Sequence, residues 1–198
     1  MENLCESIIA NDISFDCDDL VVRGLESDGL IINRRDIDLA ATVYDNDNKN
    51  IIKTLVLKTG KRAYEVVQNG ATPFTGTQTT LTVGANVNSW QNTVQFVVLA
   101  NSPTVSRDII DGLANGQFVA ILKNLSKGAT GNAKYQIYGY AQGLRAQEIT
   151  SEKWSEDTDG GWLVSLQEAA AKKSALFLFN TDEATTDAAY EALKTAAQ

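Results

Sequence analysis

Three sets of residues in this sequence are of types that do chemistry, and each has a plainer use. Glu65, Glu148, Glu152 and Asp157 offer carboxylates, and two carboxylates alone can hydrolyse a glycoside. Nothing in their spacing selects a pair. Asp45-Asn-Asp47-Asn-Lys49-Asn50 opens like a calcium loop, with oxygens at alternate positions. An EF-hand then requires Gly at its sixth position and Glu at its twelfth, where this chain has Asn50 and Val56. Turn chemistry accounts for the same residues. Ser155 to Gly161 also supplies acids but lacks ligand spacing, and it reads as a hairpin turn. Trp90, Trp154 and Trp162 can stack a sugar or a base, although such aromatics more often anchor a core or a loop.

What is missing narrows the chemistry further. The chain has no histidine, which removes Ser-His-Asp and Cys-His catalysis and histidine zinc sites. Its two cysteines cannot supply four thiolates to one metal. Cys5 and Cys17 can pair with each other, but a spacing of twelve behind first residues that do not read as a signal peptide leads us to expect free thiols. Asp16, Asp18 and Asp19 discourage a reactive thiolate at Cys17. Gly60-Lys61 lacks the upstream glycine of a phosphate loop, and no Gly-x-Gly-x-x-Gly occurs. Asn124-Leu-Ser126 matches a glycosylation acceptor, and since the first residues read as no secretory signal the match is expected to be chance. The expectation is no catalytic residue, no cofactor and no metal: a part rather than an enzyme.

The elements that would position these residues come from periodicity. Val94, Phe96, Val98 and Ala100 alternate along one strand face. Residues 102–116 follow as a helix, with Ser102 as N-cap, Pro103 in the first turn and Gly116 as a left-handed stop. Val105, Ile109 and Leu113, with Ile110 beside them, form its apolar stripe. Phe118–Leu122 and Tyr135–Tyr140 return as strands. Earlier, Ile37, Leu39, Ala41 and Val43 alternate into a hairpin whose turn is 45–50 and whose partner is 51–58. Residues 63–67 form another strand, 69–80 a long exposed loop, and 81–83 a short strand. Later come strands at 143–149, at Trp162-Val164-Leu166 and at 176–179. An Ala-rich helix over 181–198 turns Tyr190 and Leu193 inward.

Eight or nine short strands with two helices predict a mainly β chain, an antiparallel β-sandwich or barrel. The predicted organisation is an extended arm over 1–35, a sandwich domain over 36–180 with the helix at 102–116 inserted, and the terminal helix over 181–198. No apolar run reaches the roughly 20 residues of a membrane helix, and the first residues do not read as a Sec signal.

The 198 residues carry a formal charge of −8, and its placement is uneven. Residues 1–50 hold 12 Asp/Glu and 4 Lys/Arg; subtracting from totals of 25 and 17 leaves 13 of each sign beyond them. Such a chain has no cationic excess for general nucleic-acid binding.

Asp108-Ile-Ile-Asp-Gly-Leu-Ala-Asn-Gly-Gln-Phe-Val-Ala-Ile-Leu122, Gln136-Ile-Tyr-Gly-Tyr-Ala-Gln-Gly-Leu144 and Asp157-Thr-Asp-Gly-Gly-Trp-Leu-Val-Ser-Leu166 resemble virion structural proteins of tailed bacteriophages. The likeness is to phages and prophages of Bacteroides-type gut bacteria, crAss-like phages among them, and spans most of the chain. The strand–helix–strand order is also similar to the tail-tube family, β-sandwiches with a flanking helix that stack as hexameric rings. The resemblance implies a homo-oligomeric virion protein, made in the host cytoplasm. It self-assembles as tail tube or neck around a channel through which DNA passes as cargo, beside other phage structural proteins. It carries over no functional residue. Two alternatives stay open: a capsid auxiliary or decoration protein, and, from another class, a carbohydrate-binding β-sandwich adhesin using the tryptophans.

Overall fold

The structure is a computed structural model that describes residues 9, 12, 13 and 20–197. Eleven strands among these residues form two sheets, with a central helix and a C-terminal helix. The fold is mainly β, as the periodicity predicts. Cys5 and Cys17 lie outside the described residues, as does most of 1–19.

The larger sheet has seven strands. They are β1 (Leu25–Asn33), β2 (Val43–Tyr44), β3 (Ile51–Thr54), β4 (Tyr64–Val67), β7 (Phe118–Asn124), β8 (Tyr135–Tyr138) and β11 (Leu176–Leu178), in the order β2-β3-β11-β8-β7-β1-β4. The smaller sheet holds β5 (Gln78–Thr82), β6 (Ser89–Val98), β9 (Arg145–Thr150) and β10 (Trp162–Ala171), ordered β5-β6-β10-β9. All pairings are antiparallel except β11 with β3.

The sheets pack through one apolar layer that includes Ile31, Val94, Phe96, Ala120, Leu122, Tyr138, Val164 and Leu166. A second layer lies on the far side of the seven-stranded sheet. There Leu30, Ile32, Val119, Ile121, Tyr135 and Ile137 meet Leu55, Leu57, Tyr190 and Leu193. β1 and β7 are therefore buried on both faces, which explains their unbroken apolar runs.

That double burial corrects the predicted arm. Residues Leu25–Asn33 are a central strand between β7 and β4. Leu30-Ile31-Ile32 lacks alternation because both of its sides are inside, so the sandwich begins at 25 rather than 36.

Other corrections are local. Ile37 forms only a bridge to Leu57, and 39–41 turn away. The Asp38 carboxylate accepts hydrogen bonds from the Ala40 and Ala41 N–H groups at 3.0 and 3.1 Å, which ends the strand. The expected loop 69–80 stops at Gln78, where β5 starts, and its Phe74 is buried in the inter-sheet layer. The strand expected from Gly143 starts at Arg145, after Leu144 bridges Phe118.

The central helix runs over 103–115, and the Ser102 hydroxyl accepts from the Val105 N–H at 3.2 Å as an N-cap. Its middle, Ser106–Ile110, is a π turn. The wider turn aligns Val105 with Ile110, not Ile109; Ile110 and Leu113 are buried while Ile109 is exposed. Gly116 is extended, with φ −92°, and not left-handed. Glycine is needed there because a Cβ would overlap the buried Phe118 ring.

The C-terminal helix, Glu183–Ala192, is capped by Asp182, whose side chain accepts from the Thr185 N–H at 2.7 Å. Asp187 fixes it to β8, accepting from Lys134 Nζ at 2.7 Å and from the Tyr135 hydroxyl at 2.8 Å. Tyr190 stacks on Tyr135 with ring centroids 4.5 Å apart.

Candidate functional site

The sequence candidates are not brought together. Glu65 lies on β4 and pairs with Lys194 at 2.7 Å. Glu148 lies on β9 in the other sheet, and Glu152 and Asp157 follow in the β9–β10 loop. Of the four, only Glu65 borders either cleft described below.

Asp45 spends its oxygens on its own turn. Oδ1 accepts from the Asp47 and Asn48 N–H groups at 2.9 and 2.8 Å, and Oδ2 pairs with Lys53 at 2.9 Å. The Asn48 N–H first, then Lys53, hold its pKa down to about 2. Turn capping accounts for this loop. Among the described residues no three His, Cys, Asp or Glu side chains group as metal ligands.

The tryptophans are dispersed. In the β6–β10 ladder Trp162 sits opposite Val98 and Trp90 opposite Ala171, at the two ends. Seven or more residues of strand, roughly 25 Å, separate them. Lys153 lies over the Trp162 ring at 5.6 Å, and Trp154 is 93% exposed in the following loop. The three do not make one stacking platform.

Two clefts stand out instead. The first, about 530 Å³, lies where β8, β11 and β2 end against the smaller sheet. Leu39, Tyr44, Tyr140, Ala175 and Leu176 wall it, and Arg34, Lys49, Lys172 and Lys173 rim it. Tyr44 and Tyr140 meet edge to face at 5.9 Å; burial first, and the Tyr140 hydroxyl second, raise the Tyr44 pKa above the ordinary phenol range.

Glu168 forms part of the cleft and is only 2% exposed. Its Oε2 accepts from Asn92 Nδ2 at 2.9 Å and its Oε1 from the Gln142 N–H at 2.6 Å. The Asn92 amide oxygen accepts in turn from the Thr79 hydroxyl at 2.9 Å. Arg34 donates to the carbonyls of Tyr140 and Ala141 at 3.3 and 2.5 Å. Glu168 and Arg34 thus clamp the 140–142 corner from two sides. Sequence reading missed Glu168 because it stands alone in an alternating strand, and only the fold supplies Asn92 and Gln142.

The second cleft, about 870 Å³, runs between β4 and the central helix. Val66, Val67, Val98, Leu99, Ile109 and Leu113 line it. Beside it β4 is hydrogen-bonded on one side only. The Gln68 N–H reaches Ser27 O at 2.7 Å, so by ladder alternation Glu65 and Val67 direct their backbone groups outward, where Gln68 Nε2 already donates to the Val67 carbonyl at 3.0 Å and the Glu65 groups are left for a partner. Tyr64, Val67, Leu99 and Ile109 are exposed around it.

Ser174 also lines the first cleft, but no hydrogen bond joins it to Glu168, whose oxygens are taken by Asn92 and Gln142. The first can hold an anionic group at its rim and an apolar group within, and the second can accept an extended strand. No helix among the described residues is long and apolar enough to cross a membrane. Compared with known protein families, curated proteins and solved structures, the chain matches none.

Proposed function

We propose that this chain is a self-assembling structural subunit of a bacteriophage particle, a tail tube or tail-tube-like neck protein that closes as a ring around the DNA channel. The observation that carries the reading is the open edge of β4 beside an apolar cleft. Proteins that live as monomers blunt such edges with lysine, proline or a covering segment. β4, Tyr-Glu-Val-Val, has no lysine or proline and its one charge, Glu65, is paired with Lys194, while β5 (Gln-Thr-Thr-Leu-Thr) at the rim of the other sheet has no charge at all. Ring closure pairs such edges and removes them. In this reading DNA is cargo, and an acidic chain favours its passage over its retention.

Negative-stain electron microscopy of the purified chain tests the proposal. The expected images are rings of about six copies with a central channel, the order found in the family it resembles. Leu81→Lys on the β5 edge is expected to leave the melting temperature within about 2 °C and to lower the fraction of rings. A native chain that stays monomeric and does not enter particles overturns the reading.

A further inference from the structure

Arg34, Lys49, Lys172 and Lys173 converge on the first cleft, and none of them pairs with a carboxylate among the described residues. Seven other cations of the chain do have such partners, Lys134 and Lys194 with two each. The cleft is thus a cationic rim over an apolar wall. Its one acid, Glu168, is held back by Asn92 and Gln142.

The chain itself contains the complementary segment. Residues 1–22 carry six acids (Glu2, Glu6, Asp12, Asp16, Asp18 and Asp19) and no Lys or Arg. Apolar side chains alternate with them in blocks, ending in Leu20-Val21-Val22. Where this segment is described its apolar side chains are out in solvent: Ile13 is 94% exposed and Val21 86%.

Reach decides between this chain's own cleft and a neighbour's: Leu20 lies five residues before Leu25, a tether of at most roughly 18 Å when extended. β1 begins beside Asn124, where the segment leaves the fold, and ends beside Phe118, where Arg34 follows at the cleft. The nine residues of β1 set these two places roughly 30 Å apart. An arm leaving one end and a cleft at the other form a head-to-tail contact, and repeating that contact generates rings or stacks.

We infer that the acidic segment 1–22 of one copy docks in the Arg34/Lys49/Lys172/Lys173 cleft of the next. Asp16, Asp18 and Asp19 lie along the lysine rim, while Leu20 to Val22 cover Leu39, Tyr44 and Tyr140. Apolar groups occupy the floor because Glu168 repels an anion there, and acids stay at the rim. This inference rests on the self-assembly reading above and adds to it a specific contact.

Sedimentation of the full chain supplies the test, with native association measured first. Lys49→Glu/Lys172→Glu/Lys173→Glu is expected to weaken association at least about tenfold, as is Asp16→Lys/Asp18→Lys/Asp19→Lys. Carried together in one chain, the two reversals are expected to restore association to within about threefold, since opposite signs again face each other. The second readout uses Cys5→Ser, which leaves Cys17 as the single thiol, in a mixture of isotopically light and heavy chains. A thiol-to-amine cross-linker is expected to join Cys17 to Lys172 or Lys173 in mixed-isotope pairs. Same-isotope pairs alone place the segment in its own cleft and overturn the inference. So does native-strength association of the lysine-reversed chain, which leaves the self-assembly reading standing. A native chain that never associates defeats both.

Discussion

The two sheets are buried in different ways. The seven-stranded sheet is covered on both faces, by the smaller sheet on one and by the C-terminal helix with Ile37, Leu55, Leu57 and Ala63 on the other. The four-stranded sheet is covered on one face only, and its outer side carries Gln91, Gln95, Gln147 and Gln167. The difference is written in the composition of the strands. β1 and β7 run as Leu-Ile-Ile and Phe-Val-Ala-Ile-Leu, whereas β6 and β10 alternate. It also locates the unfinished parts of the molecule. Both faces of the larger sheet are closed within one chain, so what is left open is its edge.

The largest test of this contrast compares one residue from each sheet. Leu30 is 0% exposed at the centre of β1, and Leu30→Ala is expected to cost about 3 kcal/mol of unfolding free energy. Glu148→Ala, on the exposed side of β9, is expected to change it by less than about 0.5 kcal/mol. Urea denaturation reads both. A small loss for Leu30→Ala would mean that 25–33 is an arm after all.

That outcome bears on how much of the fold was legible. Alternation is a local signal, so the strands containing Val94-Phe96-Val98 and Val164-Leu166 were readable, as were Ser102, Pro103 and the two helices. Leu30-Ile31-Ile32 was not, because an apolar run bounded by Asp and Gly looks alike in an arm and in a doubly buried strand. The parallel pairing of β11 with β3 joins segments far apart in the chain and leaves no local trace. The π turn was hidden for a different reason. Hydrophobic spacing of four fits an α-helix, and only the fold shows that Ile110 is buried in place of Ile109. At the clefts, the loose acids and tryptophans were visible but scattered by the fold, while the Arg34, Lys49, Lys172 and Lys173 rim gathers residues from three parts of the chain.

The second test concerns the two covers of the larger sheet. The inter-sheet cover is almost wholly apolar, but the helix cover is tied down by Asp187, Lys134 and Tyr135. Burial alone would raise the Asp187 pKa, and hydrogen bonds from Lys134 and Tyr135 outweigh it, leaving the carboxyl below its usual range. A carboxylate held low stabilises the fold above its unfolded pKa of about 3.9 and loses that contribution as pH falls through the lower folded value. Asp187→Asn is therefore expected to cost about 1 kcal/mol at neutral pH, limited by the exposure of the pair. Below about pH 4 the difference from the native chain is expected to shrink. Amide exchange of the C-terminal helix should show the change more strongly than exchange in β6 or β10. Equal effects in both places would mean that the two covers unfold as one unit.

The smallest effect comes from the same cover and has the opposite sign. Tyr190 is 0% exposed, and its hydroxyl has no hydrogen-bond partner, while its ring stacks on Tyr135 and faces Lys123 at 4.8 Å. Tyr190→Phe keeps the ring and deletes only the unsatisfied group, so at neutral pH it is expected to be neutral or to stabilise by up to about 1 kcal/mol. Alkaline pH separates this from a generic change in packing. Burial raises the Tyr190 pKa above that of a free phenol, so only the unfolded chain loses this proton as pH passes about 10. Each such tyrosine adds about 1.4 kcal/mol of lost stability per pH unit there. Tyr44, Tyr135 and Tyr138 are raised as well, and the phenylalanine variant removes one contribution of the four. Its unfolding free energy should thus fall less steeply above pH 10 than that of the native chain. An unchanged alkaline slope would mean that the Tyr190 hydroxyl reaches solvent and that the helix cover is less closed than the inter-sheet layer.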